Sequence, residues 1–153
     1  MKFLGIDYGA KRIGLAISDE NGKIAFPKKI ILNNSNIFEE IKKFINTENI
    51  SEIVIGDSTN FSNEPNIISK EINKFVLTLE EKFKMPVHKQ KEFLTSVAAR
   101  TPINSLNKEK LNSRINNKYL KTNKVDASAA ALILQRYLDK KNNYVLNATN
   151  NMI

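Results

Sequence analysis

The sequence predicts an α/β fold, a mixed five-stranded sheet with helices packed on it, and three observations carry that expectation. Three short apolar segments open the chain with turn residues between them. Two later segments carry apolar residues at helical spacing, and a short strand-like run follows each of the first two helices. With 153 residues, 41% of them hydrophobic, the chain has the size of one globular domain, since such domains cluster at roughly 100 to 150 residues.

Residues 2 to 7 (KFLGID), 13 to 18 (IGLAIS) and 23 to 32 read as an antiparallel meander, with Asp19 to Gly22 (DENG) as the second turn. Ser35 is placed to cap a helix whose Ile37, Phe38, Ile41, Phe44 and Ile45 share one face. Ile53 to Ile55 is a buried strand. From Pro65, the residues Ile68, Ile72, Phe75, Leu79 and Phe83 mark a long amphipathic helix, and Pro86 starts a strand towards Glu92. Thr95 caps a short helix that Pro102 ends, and residues 103 to 124 are polar and basic enough to read as a mobile loop. Asp126 to Tyr137 (DASAAALILQRY) is a helix whose small residues let it lie close against a sheet. The expected organisation is one domain over residues 1–140 and a polar, frayed tail over 141–153.

Composition excludes several classes of function. The chain has no cysteine, which removes disulfide scaffolds, thiol catalysis and Cys-ligated zinc. A single histidine, His88, rules out zinc sites built on several His ligands and is expected to be structural. Neither a phosphate-binding P-loop nor a dinucleotide G-x-G-x-x-G occurs. With no signal-like start and no apolar run of the ~18 residues that span a bilayer, the expected location is the cytoplasm.

The formal net charge is +8, and it is regional: residues 82 to 124 hold eleven Lys/Arg against only Glu92 and Glu109. Clustered cations of this kind suit the phosphates of a nucleic acid. Within and beside that region the expected contacts are Lys91, Arg100, Lys108, Lys110, Arg114, Lys118, Lys121 and Lys124, joined by Lys11 and Arg12 near the first turn.

Only five aspartates exist, so their placement is informative. Asp7 ends an apolar strand between Gly5 and Gly9, where a carboxylate stands beside backbone bare enough for a ligand to approach. Asp126 precedes the buried final helix, where an N-cap is the structural alternative. Glu92 is the one acid between Glu81 and Glu109, at a strand end. If these elements share one sheet, Asp7, Glu92 and Asp126 converge from three distant parts of the chain. Three carboxylates suit one or two Mg²⁺ or Mn²⁺ ions, which take oxygen ligands. Asp57, after IVIG, is a possible fourth acid whose simpler role is that of a loop residue.

The segments LGIDYGAKRIGLAISD at 4 to 19, IVIG at 53 to 56, EFLTSVAAR at 92 to 100 and KVDASAAALILQRYLD at 124 to 139 resemble the YqgF/RuvX family, described as Holliday junction resolvases and as pre-16S ribosomal RNA nucleases. The resemblance spans residue 2 to about 140. It implies a ribonuclease H-like fold with helices on both sheet faces, and metal-dependent phosphodiester hydrolysis at the 5′ end of precursor 16S ribosomal RNA. Holliday-junction-like DNA is another implied substrate, pre-ribosomal particles are implied partners, and the expected state is a monomer or weak homodimer. The family's first-strand aspartate falls on Asp7, the glutamate of its D-E-R-L-T motif on Glu92 and its final-helix aspartate on Asp126. Here that motif reads Lys91-Glu92-Phe93-Leu94-Thr95, and Gly56-Asp57-Ser58-Thr59-Asn60 stands where the family continues Gly-Leu-Pro.

Two other readings belong to different classes. Actin-like kinases also open with a G-I-D-x-G hairpin, but they need two such domains and this length supplies one. A non-catalytic RNA-binding or assembly module on the same fold is favoured by the altered motif around Glu92 and opposed by retention of all three acids.

Overall fold

The structure, a computed structural model, describes residues 1–57, 67–91 and 120–150, with helix side chains described over 37–48, 68–83 and 127–144. In chain order the elements are β1 (Lys2–Tyr8), β2 (Arg12–Ser18), β3 (Ala25–Leu32), α1 (Ile37–Glu48), β4 (Ile50–Asp57), α2 (Ile67–Phe83), β5 (Val87–Lys91) and α3 (Leu120–Asn150). The expected helix start at Pro65, the short helix from Thr95 to Pro102 and the loop over 103–119 lie outside the described residues.

The strands form one five-stranded sheet in the order β3-β2-β1-β4-β5. β1, β2 and β3 pair antiparallel as the expected meander, whereas β1–β4 and β4–β5 are parallel. Alternation along each strand sorts the side chains onto two faces. Leu4, Ile6, Ile13, Leu15, Ile53 and Ile55 pack with Ile41 and Ile45 of α1 and with Ile72, Phe75 and Leu79 of α2. On the opposite face Phe3, Ala16 and Val54 pack with Ala130, Ile133, Leu134 and Leu138 of α3. Helices therefore cover both faces, as expected.

The turn at Asp19–Gly22 forms as expected: the Gly22 N–H donates to the Asp19 carbonyl at 3.1 Å, and Gly22 takes φ +64°. Asp19 Oδ1 also accepts the N–H groups of Lys23 at 2.6 Å and Ile24 at 3.0 Å. The outer strand β3 carries Pro27, Lys28 and Lys29 and a register shift opposite Leu15/Ala16, features that discourage pairing with a further strand.

Two expectations change. The N-cap of α1 is Asn36, not Ser35, and it makes no side-chain cap; Asn34 Oδ1 instead accepts the Asn36 N–H at 2.9 Å. Glu39 and Glu40 in the first turn complement the helix dipole. Helix α3 is also longer than expected, taking in residues 120–124 of the expected loop and 141–150 of the expected tail. Extending a helix is cheap once a turn exists. Tertiary contacts also reach past residue 140: Asn142 Nδ2 donates to the Gly22 carbonyl at 3.1 Å, and Lys141 Nζ lies 4.4 Å from the Phe3 ring centroid. No described helix is long and apolar enough to cross a membrane.

Candidate active site

Asp7 lies near the C-terminal end of β1, on the face covered by α3, and is part-buried. Its surroundings on that face are set by register. In the β1–β2 pair Asp7 sits opposite Gly14. Continuing the β1–β4 register one step past Ile6–Ile55 sets Gly56 on the other side. Along its own strand the positions two residues away are Gly5 and Gly9. The three nearest sheet positions on this face, and Gly9 one residue past β1, thus carry no side chain, and they take up four of the five glycines in the chain. The carboxylate stands in a clearing of bare backbone, the setting in which a ligand can come close.

The connection from β1 to β2 is tight. A Cβ at Gly9 would meet the Arg12 carbonyl oxygen at 2.6 Å. Asn33 fixes the turn from the neighbouring strand end, its Nδ2 donating to the Gly9 carbonyl at 2.9 Å and its N–H to the Lys11 carbonyl at 3.0 Å. Lys11 and Arg12 are exposed on this hairpin.

Helix α3 approaches β1 closely because Gly5 lies beneath it: a Cβ there would come within 2.8 Å of Leu134 Cβ and 2.9 Å of the Ala130 carbonyl oxygen. Further from the site, the Phe3 and Tyr137 rings meet at 5.9 Å. The contacts Phe3–Tyr137 and Gly5–Ala130 show that α3 runs antiparallel to β1. From Gly5 to Asp7 the strand advances about 6.6 Å, and from Ala130 back to Asp126 the helix retreats about 6 Å. Both steps lead to the same end of the molecule, so the backbone carries position 126 towards Asp7. The Asp126 side chain lies outside the described part, as do those of Lys121 and Lys124, although all three positions belong to α3. Glu92, Arg100, Lys108, Lys110, Arg114 and Lys118 lie outside the described residues.

Lys91 closes β5, exposed, and pairs in register with Asp57. Asp57 ends β4 on the face opposite Asp7, because strand alternation sends it to the side of Ile53 and Ile55. Among the described residues no group of three metal-ligating side chains assembles.

His88 is structural, as expected. Its Nε2 lies 2.6 Å from Glu52 Oε2, and its ring stacks on Tyr137 at 5.1 Å. Lys141 Nζ reaches the other Glu52 oxygen at 3.6 Å. Burial, aided by the Glu52 carboxylate, pushes the Tyr137 phenol above its usual value. This clasp ties α3 to β4 and β5 at the end of the sheet away from Asp7.

Gly5 and Gly9 stand out beside Asp7 in the sequence, whereas Gly14 and Gly56 do not. The signal available is the scarcity of glycine, with three of five in strands and Gly9 one residue past β1; only the register shows that four of them surround one carboxylate.

Comparison with known proteins identifies the lineage. A family model for RuvX, described as Holliday junction resolvase, matches residues 1–140. The chain belongs to the RuvX family. Among its relatives, a protein of Maridesulfovibrio salexigens named "Putative pre-16S rRNA nuclease" is 34% identical over 140 residues, covering 90% of this chain and 98% of that one. One of the same name from Thermoanaerobacter pseudethanolicus is 36% identical over 145 residues, with 94% and 99% covered. Among solved structures, Thermus thermophilus RuvC matches with a TM-score of 0.54 at 14% identity, over 92% of this chain and 96% of that one. The T. thermophilus RuvC complex with a Holliday junction substrate matches with a TM-score of 0.55 at 13% identity, again over 92% and 96%. The RuvX chain thus has a ribonuclease H-like fold, and its family is one of nucleases.

Proposed function

We propose that this chain is a metal-dependent nuclease that hydrolyses phosphodiester bonds at the 5′ end of precursor 16S ribosomal RNA in the cytoplasm, with Holliday-junction-like DNA as another substrate. The observation that carries the reading is Asp7 in its glycine clearing, at the end of the sheet to which α3 brings position 126. Asp7, Asp126 and Glu92 are the proposed ligands of Mg²⁺ or Mn²⁺. The donor set is all carboxylate, which fits a hard divalent cation, and the bare backbone around Asp7 leaves room for the waters or phosphate oxygens such an ion keeps. When bound, the metal supplies an activated water and charge neutralisation at the leaving oxygen.

The remaining work falls to cations of the chain. The strand order puts Arg12 one strand to one side of Asp7 and Lys91 two strands to the other. At about 4.8 Å per strand these two backbone positions lie about 14 Å apart. A phosphate backbone laid over these strand ends meets Arg12 on Asp7's own face, while Lys91 reaches the strand ends from the opposite face with Asp57; both cations offset the repulsion of the acids. Lys11 supports Arg12, while Arg100, Lys108, Lys110, Arg114, Lys118, Lys121 and Lys124 extend the grip.

A second reading, an RNA-binding module without catalysis, is favoured by Lys91 and Phe93 flanking Glu92 where the resemblance leads one to expect an acid and an arginine. Incubating the protein with 5′-extended 16S precursor separates the two. The nuclease reading expects cleavage with Mn²⁺ or Mg²⁺ that EDTA abolishes, whereas binding without cleavage under every metal condition favours the module.

A further inference from the structure

We propose that the outer face of α2 and the adjoining face of β5 form a phosphate-binding ridge for a double-helical stem flanking the cut site, an inference that rests on the nucleic-acid reading above. The ridge is Lys70 and Lys74, one helical turn apart and both exposed, with exposed Lys89 beside them. Lys89 Nζ donates to Asn73 Oδ1, which places the β5 lysine against α2. Strand alternation puts Lys91 on the same face as Lys89, so the ridge meets the proposed track at the sheet's edge.

Three features point to a polyanion. First, three lysines elsewhere on the described surface have their charge met by carboxylates: Lys2 and Lys28 reach Glu48 at 3.7 and 3.6 Å, and Lys141 reaches Glu52 at 3.6 Å. Among the described residues Lys70, Lys74 and Lys89 make no such pair, and the partner of Lys89 is a neutral amide. Second, Lys70 and Lys74 are like charges four residues apart on one helix, and an anion lying between them relieves their mutual repulsion. Third, the ridge carries no aromatic side chain, its large apolar residue being the exposed Leu77. Single strands are held largely by stacking of bases on aromatic rings. Point charges without rings instead suit the regular phosphates of a duplex, read without regard to sequence.

The test replaces Lys70, Lys74 and Lys89 together with Gln in the full chain and measures affinity by fluorescence anisotropy across a salt titration. The probes are a hairpin RNA with a single-stranded 5′ extension, the extension alone, and heparin as a polyanion that is not a nucleic acid. For the hairpin, the slope of log affinity against log salt should fall by roughly 0.7 to 0.9 for each phosphate no longer neutralised, about two units in all, and a Lys→Arg triple variant should keep the wild-type slope. The extension alone should show little change. Superimposable lines for wild type and the Gln variant on the hairpin would overturn the proposal, as would an equal weakening on the extension, or a weakening confined to heparin. Failure of the nuclease reading is seen separately, as absence of metal-dependent cleavage by the wild type on either RNA.

Discussion

Replacing Gly5 with Ala probes how the site is held together. The new Cβ would lie 2.8 Å from Leu134 Cβ and 2.9 Å from the Ala130 carbonyl oxygen, whereas carbon atoms in contact ordinarily sit about 3.5–4.0 Å apart. Both opposing atoms are fixed to the α3 backbone, so no side-chain rotation relieves the clash. The helix has to withdraw from the sheet by about 1 Å. Overpacking of this kind costs about 1–3 kcal/mol, and at about 2–4 °C per kcal/mol for a chain of this size Tm should fall by roughly 2–12 °C. Activity should fall further than stability, because β1 carries Asp7 and α3 carries Asp126. A displacement of about 1 Å at a catalytic group costs on the order of 100-fold. Thermal melts followed by circular dichroism and single-turnover cleavage well below Tm measure the two effects, with Ser51→Ala at an exposed position of β4 as control. An unchanged Tm and cleavage within about twofold of wild type would refute the packing argument. Lower stability with full cleavage would refute the claim that this contact positions the acids.

Glu52→Gln should weaken the clasp at the other end of the sheet, costing about 1–2 kcal/mol with cleavage unchanged; the Tyr137 phenol, which Glu52 helps hold high, should titrate at lower pH by ultraviolet absorbance. Asp19→Ala should destabilise the β2–β3 turn in a pH-dependent way. Hydrogen bonds from the Ile24 and Lys23 N–H groups hold the Asp19 carboxyl below the usual range, so its contribution is present above the unfolded value and lost as pH falls through the folded one. The Tm gap between wild type and Asp19→Ala should therefore narrow on acidification below about pH 4, and a gap that stays constant would contradict this.

The parts of the fold legible in the sequence are those set by local pattern. Apolar runs in LGID and IGLAIS mark β1 and β2, and DENG marks the turn. The small residues of DASAAALIL point to a helix lying close on a sheet, and Gly5 beneath Leu134 is the other half of that fit. What stays hidden depends on partners distant in sequence. The clearing around Asp7 needs the β1–β2 and β1–β4 registers, and the role of His88 needs Glu52, 36 residues earlier. The ends of α3 escape a sequence reading because Lys-Thr-Asn-Lys and Lys-Lys-Asn-Asn have no apolar period. Their helicity comes from propagation and from Lys141 and Asn142 touching the first strand and the turn.

If the Asp7 carboxylate holds the metal for phosphodiester hydrolysis, removing its charge alone should stop the reaction. Asp7→Asn keeps the shape of the side chain and takes that charge away. The direct measurement is Mn²⁺-dependent cleavage of 5′-extended 16S precursor by this variant, alongside its melting curve and its RNA affinity. Cleavage should disappear while Tm and affinity stay close to wild type, because phosphate contacts elsewhere supply most of the binding. A well-folded Asp7→Asn protein that cleaves at the wild-type rate would contradict the assignment of Asp7 as the metal's ligand.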